Sequence, residues 1–156
     1  MRLVQKQALK PIASGRMEKL YDKAVQAHLN DYMGLIFEKM CGDYLLYYAD
    51  EMDFQLVDIG QWWGTDSIGK KQVQIDLVGS TDKKNEYLIG SCKFRNEAIG
   101  IDELELLKKY AVAFGKGKTY HYYIFSKGGF TEGLKAAADR GEVKLISLDE
   151  MYNIMD

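Results

Sequence analysis

Few residues in this chain are of the kinds that staple, kink or metallate a small protein. Its 156 residues include one proline (Pro11), two cysteines (Cys41 and Cys92) and two histidines (His28 and His121). Two cysteines do not make a disulfide framework, and a reduced, cytoplasmic setting is the natural expectation. Without paired cysteines or a Cys–His cluster, a structural zinc is not expected. No apolar run approaches the ~20 residues needed to span a bilayer, and Met1 to Lys10 lacks the apolar core of a signal peptide. Charge of one sign is missing too. With 21 basic and 23 acidic residues the formal net charge is −2, so nothing attracts nucleic acid globally and a phosphate-binding surface would have to be local. Lys70-Lys71, Lys83-Lys84, Lys108-Lys109, Lys116 and Lys118 are candidates for such a patch, although solvated loop and helix charges account for most of them.

What is present is an ordinary globular balance, 47% hydrophobic and 28% charged, in a chain long enough to bury a core. A lead-in of residues 1–15 contains Pro11, and residues 16–156 read as a single domain. From Arg16 to about Tyr48 the pattern is helical, with a break expected at Asn30-Asp31 where either residue can cap a second helix. Phe37, Met40, Cys41, Tyr44, Leu45 and Tyr48 recur at helical spacing as a core-facing stripe. Glu38 lies beside that stripe, with small neighbours, Gly34 and Cys41, a turn away. Strands are expected at Phe54–Trp63, Val73–Val78 and Tyr87–Phe94, forming an antiparallel meander. A helix follows over Ile101–Phe114, ended by Gly115 and Gly117. Tyr120–Phe125 reads as a strand buried on both faces. Thr131 caps a helix that runs to Arg140 and stops at Gly141, before a strand at Val143–Leu148 and an end helix at Asp149–Ile154. The order α-β-β-β-α-β-α-β-α predicts an α/β fold, a mixed β-sheet flanked by helices, with parallel pairing across the crossovers.

The chemistry concentrates in the meander. Gln74-Ile75-Asp76-Leu77-Val78 places an acid on one strand, and Ile89-Gly90-Ser91-Cys92-Lys93-Phe94 places a lysine on the next. Alternation puts Gln74 with Asp76, and Ser91 with Lys93, on one face each, with Ile75, Leu77, Cys92 and Phe94 turned the other way. Carboxylates converging from adjacent elements suit a hard divalent cation that polarises a phosphodiester, and a nearby lysine offsets developing charge. A cross-strand ion pair between Asp76 and Lys93 accounts for the same two residues without catalysis.

From Tyr32 onward the chain resembles the C-terminal domain of the archaeal-type (DEXX-box) ATPases, a restriction-endonuclease-like domain of the PD-(D/E)XK nuclease superfamily. The pieces that carry the resemblance are Tyr32-Met33-Gly34 with Phe37-Glu38, Ile59-Gly60-Gln61-Trp62-Trp63, Gln74-Ile75-Asp76-Leu77-Val78, Gly90-Ser91-Cys92-Lys93-Phe94, and Ile124-Phe125-Ser126-Lys127-Gly128-Gly129-Phe130-Thr131. It implies a nuclease-like hydrolase domain that engages DNA. Such a domain is associated with an ATPase domain, as the C-terminal part of a longer ATPase or as a stand-alone relative. No Gly-x-x-x-x-Gly-Lys-Ser/Thr loop is present, so the chain carries no ATP site of its own. Carried over residue by residue, Glu38, Asp76 and Lys93 take the catalytic positions, and Glu38 and Asp76 those of ligands to Mg²⁺ or Mn²⁺. The pattern is degenerate at two places. Ser91 stands where the acid of the E-x-K element would be, and Gln74 where members often read Glu. The metal site is therefore expected to be weakened, with Asp58, Glu97 and Asp102 as nearby acids that might substitute. The alternative is a non-catalytic protein-interaction or regulatory module of the ATPase.

Other candidates have plainer readings beside the functional ones. Lys127, Gly128 and Gly129 precede a helix N-terminus and suit a phosphate contact, although a tight turn that needs glycine explains them equally. Trp62-Trp63 suits base stacking or a core-and-rim pair. His28 and His121 read as structural, and the tyrosines 44, 47, 48, 120, 122 and 123 as core and partner contacts.

Overall fold

The computed structural model describes residues 15–47, 52, 54–66 and 70–155, which fall in two units, 1–36 and 37–156. In the first unit the described residues are helical from Gly15 on. Asn30 and Asp31 do not interrupt that helix, which continues as α1 (Gly15–Tyr47). The expected break is absent, and Asn30 Oδ1 accepts a hydrogen bond at 3.1 Å from Gln26 Nε2, one turn earlier. The amide that might have capped a new helix is thus satisfied along the old one.

In the second unit α1 is followed by β1 (Leu56–Thr65), β2 (Gln72–Thr81), β3 (Glu86–Lys93), α2 (Ile101–Phe114), β4 (Thr119–Ser126), α3 (Glu132–Asp139), β5 (Lys144–Ser147) and α4 (Leu148–Met155). This is the order read from the sequence. The strands form one five-stranded sheet in the order β1-β2-β3-β4-β5, antiparallel through β3 and parallel from β3 to β5. Tyr48 lies outside the described residues, but Phe37, Cys41, Tyr44 and Leu45 are buried as the stripe requires.

The sheet separates two cores. One gathers Phe37, Cys41 and Leu45 of α1 with Leu88, Cys92, Phe125, Ile146 and Met151. The other gathers Leu104 and Leu107 of α2 and Leu134 and Ala137 of α3 with Ile75, Ile89, Ile124 and Val143. Strand β4 shows the period of two directly, since Tyr123 and Phe125 belong to the first core and Ile124 to the second. Its burial on both faces holds only for Tyr123 to Ser126; Thr119 to Tyr122 are exposed or half-buried.

Strand β2 breaks the alternation. Ile75 pairs with Trp62 and Val78 with Gly60, so β2 takes three steps where β1 takes two, and the extra residue makes a bulge at Asp76-Leu77. Ile75 packs in the second core and Leu77 in the first. The expectation that Ile75 and Leu77 share a face is therefore corrected, because a bulge inverts the phase of every residue beyond it.

Thr131 caps α3 as expected, its Oγ1 accepting from the Leu134 N–H at 3.4 Å, and Gly141 follows the helix at φ 80°. At the end of α2, Gly115 is extended, and the left-handed turn comes at Gly117, φ 73°.

Candidate functional site

The site forms where β2 and β3 part. Their last regular pair is Leu77 with Gly90. One residue further, where Asp76 would face Ser91, the ladder stops and the Asp76 side chain takes over. Its Oδ2 accepts from the backbone N–H of Cys92 at 3.0 Å. A bulge here turns the aspartate out of the pleat, and the fork leaves a donor that needs an acceptor.

Glu38 reaches the same place from α1. Gln61, on the partner side of the β2 bulge, donates from Nε2 to Glu38 Oε2 at 2.9 Å. Burial raises the Glu38 carboxyl above the usual range, and the nearby charge of Asp76 raises it further. The Gln61 hydrogen bond and the Lys93 ammonium pull it back only in part. Asp76 and Lys93 therefore each lie within electrostatic reach of Glu38.

Lys93 Nζ is 3.4 Å from Oε1 of Glu103, in the first turn of α2. Sequence reasoning gave a role to neither Glu103 nor Gln61, although Gln61 falls in the stretch Ile59-Gly60-Gln61-Trp62-Trp63. Glu103 reads as an ordinary helix N-terminal acid, and no local pattern marks a strand glutamine as the partner of a helix glutamate.

The two departures from the acidic pattern differ in setting. Ser91 is 3% exposed and its Oγ has no hydrogen-bond partner among the described residues, whereas Gln74 is exposed. A serine hydroxyl and a neutral amide are poor substitutes for carboxylate on a hard dication. Among the described residues no group of three or more His, Cys, Asp or Glu side chains is placed to hold a metal ion, so Asp58, Glu97 and Asp102 do not complete one. Glu38 and Asp76 also each have one oxygen engaged with Gln61 or Cys92. This donor set does not fit a catalytic divalent cation.

Lys127, Gly128 and Gly129 have a packing explanation. The Lys127 N–H donates to Lys93 O, and Ile99 and Thr131 tie the loop down through the Gly129 and Ile99 carbonyls. A Cβ at Gly128 would lie 2.4 Å from Asn96 O, and Gly129 sits at φ 86°. Lys127 Nζ lies 4.6 Å from the Phe94 ring centroid, and Phe94 in turn packs on Phe37. The Trp pair divides: Trp62 packs edge-on against Phe114, while Trp63 is 56% exposed. His121 stacks on Phe54, with Nε2 2.6 Å from Glu86 Oε1, and His28 is exposed. No helix among the described residues is long and apolar enough to cross a membrane.

Solved structures similar to this chain include a repair endonuclease from Pyrococcus abyssi, with 13% identity and a TM-score of 0.43 over 63% of this chain. Another is a protein of unknown function, AF1548, with 24% identity and a TM-score of 0.43 over 71% of this chain. The chain spans 39% and 56% of those two chains respectively. No curated protein matches it. Residues 1–108 match the family DUF234, archaea bacterial proteins of unknown function, and the chain belongs to that family.

Proposed function

We propose that this chain is a nuclease-like domain, associated with an ATPase domain in the same or another chain, that engages DNA through a degenerate phosphodiesterase site. Glu38, Asp76 and Lys93 are the remnant of that site. The observation that carries the reading is at the fork: the charges of Asp76 and Lys93 both bear on the Glu38 carboxylate, while Ser91, the β3 residue that would face Asp76, is buried. Such an arrangement keeps the charge pattern of a phosphodiester site but lacks the negative charge needed to hold a cation firmly.

Calorimetric titration with Mn²⁺, beside plasmid nicking by the wild type, Asp76→Ala and Ser91→Glu, tests it. The wild type should show no more nicking than Asp76→Ala and a weak or unresolved cation isotherm. Tight cation binding with nicking abolished by Asp76→Ala would replace this reading with that of an active endonuclease.

A second reading, a protein-interaction or regulatory module of the ATPase, is favoured by how the cations near the fork are used. Lys93 faces Glu103 and Lys127 lies over Phe94, and the net charge is −2. Fluorescence anisotropy with a labelled duplex at low salt separates the two, because contacts to phosphate must weaken steeply as salt rises.

A further inference from the structure

On β3, Ser91 and Lys93 share a face, the one on which Ile89 joins the core beneath helices α2 and α3. Position 91 gives that lysine no charge partner. Its hydroxyl is buried and without a hydrogen bond among the described residues.

The carboxylate arrives from another element. Glu103 Oε1 is 3.4 Å from Lys93 Nζ, and the side chains are 10% and 30% exposed respectively. A pair so largely withdrawn from solvent is less screened than a surface pair. Glu103 is also held in place. It lies in the first turn of α2, its N–H donates to Gly100 O, and the next residue, Leu104, is 1% exposed in the core. The helix dipole favours an acid at that point.

We propose that Glu103 is the positioning residue of Lys93, reaching the lysine from α2 where its neighbour on the same strand face, Ser91, offers it no charge. It fixes the ammonium at the fork, where the lysine's charge already bears on Glu38. This rests on reading Lys93 as part of one site with Glu38 and Asp76. Glu103 acts on the lysine alone and forms no metal-capable group with those two acids.

The test is the rate at which a soluble succinimidyl ester acylates the Lys93 amine in the full chain, resolved by mass spectrometry. Glu103→Gln should react at Lys93 about threefold faster than wild type, with Lys108 and Lys135 unchanged, and Glu103→Asp should stay near the wild-type rate. Equal rates at Lys93 in wild type and Glu103→Gln would overturn the proposal. Should Glu103→Gln fold poorly, a second comparison decides. In a Lys93→Met background the shift in unfolding midpoint caused by Glu103→Gln should largely disappear; an undiminished shift would make Glu103 a merely structural residue. Neither readout uses metal or DNA, so failure here leaves the reading of the Glu38–Asp76 pair to its own titration.

Discussion

Asp76 Oδ2 accepts the Cys92 N–H at 3.0 Å where the ladder between β2 and β3 ends. The carboxylate therefore closes the fork. Asp76→Ala leaves a half-buried N–H without an acceptor and should cost about 1–3 kcal/mol. Asp76→Asn retains an oxygen for the same N–H and should cost less than half as much. Urea unfolding of the two variants measures this difference, and equal losses would remove the hydrogen bond from the account. The practical consequence is that Asp76→Asn is the better control for any functional assay.

Glu38 should make the protein less stable as its carboxyl ionises. Its proton affinity is raised in the folded state, by burial first and the Asp76 charge second. Between the ordinary glutamate range and that raised value, the folded chain holds more protons than the unfolded one. Stability from this group is therefore fully present below about pH 4.5 and is lost as pH rises through the folded value. Much of the side chain remains in contact with water, so the effect should stay below about 1 kcal/mol. Glu38→Gln should thus match or exceed the wild type in melting temperature at pH 7 and lose that advantage at pH 4. A larger advantage at pH 4 would reverse the assignment. Gln61→Ala, which removes a bond favouring the charged form, should move the Glu38 titration further upward in carboxyl-resolved NMR.

Much of this arrangement was legible in the chain, because element type follows from local periodicity. The changes between helical and alternating spacing, after Tyr48, at Ile101 and beyond, give the elements of the described residues in order. Thr131 and Gly141 mark the ends of α3 through local hydrogen bonding and a left-handed turn. What stayed hidden depends on partners distant in sequence. The bulge at Asp76-Leu77 exists only relative to β1, so nothing within β2 announces that Leu77 turns to the other core. Glu103 is ten positions from Lys93 and meets it only because α2 packs over β3. At Asn30 the side chain found a partner within its own helix, an outcome that cap preferences alone do not distinguish from a break.

The adjacent tryptophans should behave in opposite ways. Trp62 packs on Phe114 at a centroid distance of 5.4 Å, and its ring would be 2.1 Å from a Cβ at Gly64. Trp63 is 56% exposed. Trp62→Ala should destabilise by about 3 kcal/mol and Trp63→Ala by less than about 0.5 kcal/mol. Iodide should quench the fluorescence of Trp62→Phe, which keeps only Trp63, far more than that of Trp63→Phe. Comparable quenching would mean the two rings are equally accessible.

The loop after β4 should not tolerate a side chain at position 128. An added methyl at Gly128 would meet the backbone of Asn96 and Glu97, which has no flexible end to move aside. Gly128→Ala should cost about 1–3 kcal/mol in urea unfolding through overpacking. A loss below about 0.5 kcal/mol would return the loop to the list of candidate anion sites.

The buried thiols supply a test of the layer behind the site. Cys41 and Cys92 come from α1 and β3, and both are buried. Burial pushes the Cys92 thiol well above its usual range, helped by the contact with Cys41 and by the charges of Asp76 and Glu38. Because the thiolate is the reactive form, burial and an upward shift both slow alkylation. Iodoacetamide at pH 8 should modify Cys92 in the native protein at least tenfold more slowly than in urea, by a rough order-of-magnitude estimate. Asp76→Asn removes one of the neighbouring charges and should raise the native rate at Cys92, although burial keeps it far below that of the unfolded chain. Native labelling as fast as in urea would show that α1 does not cover β3 at this point, and with it the placement of Glu38 beside Asp76 would fall.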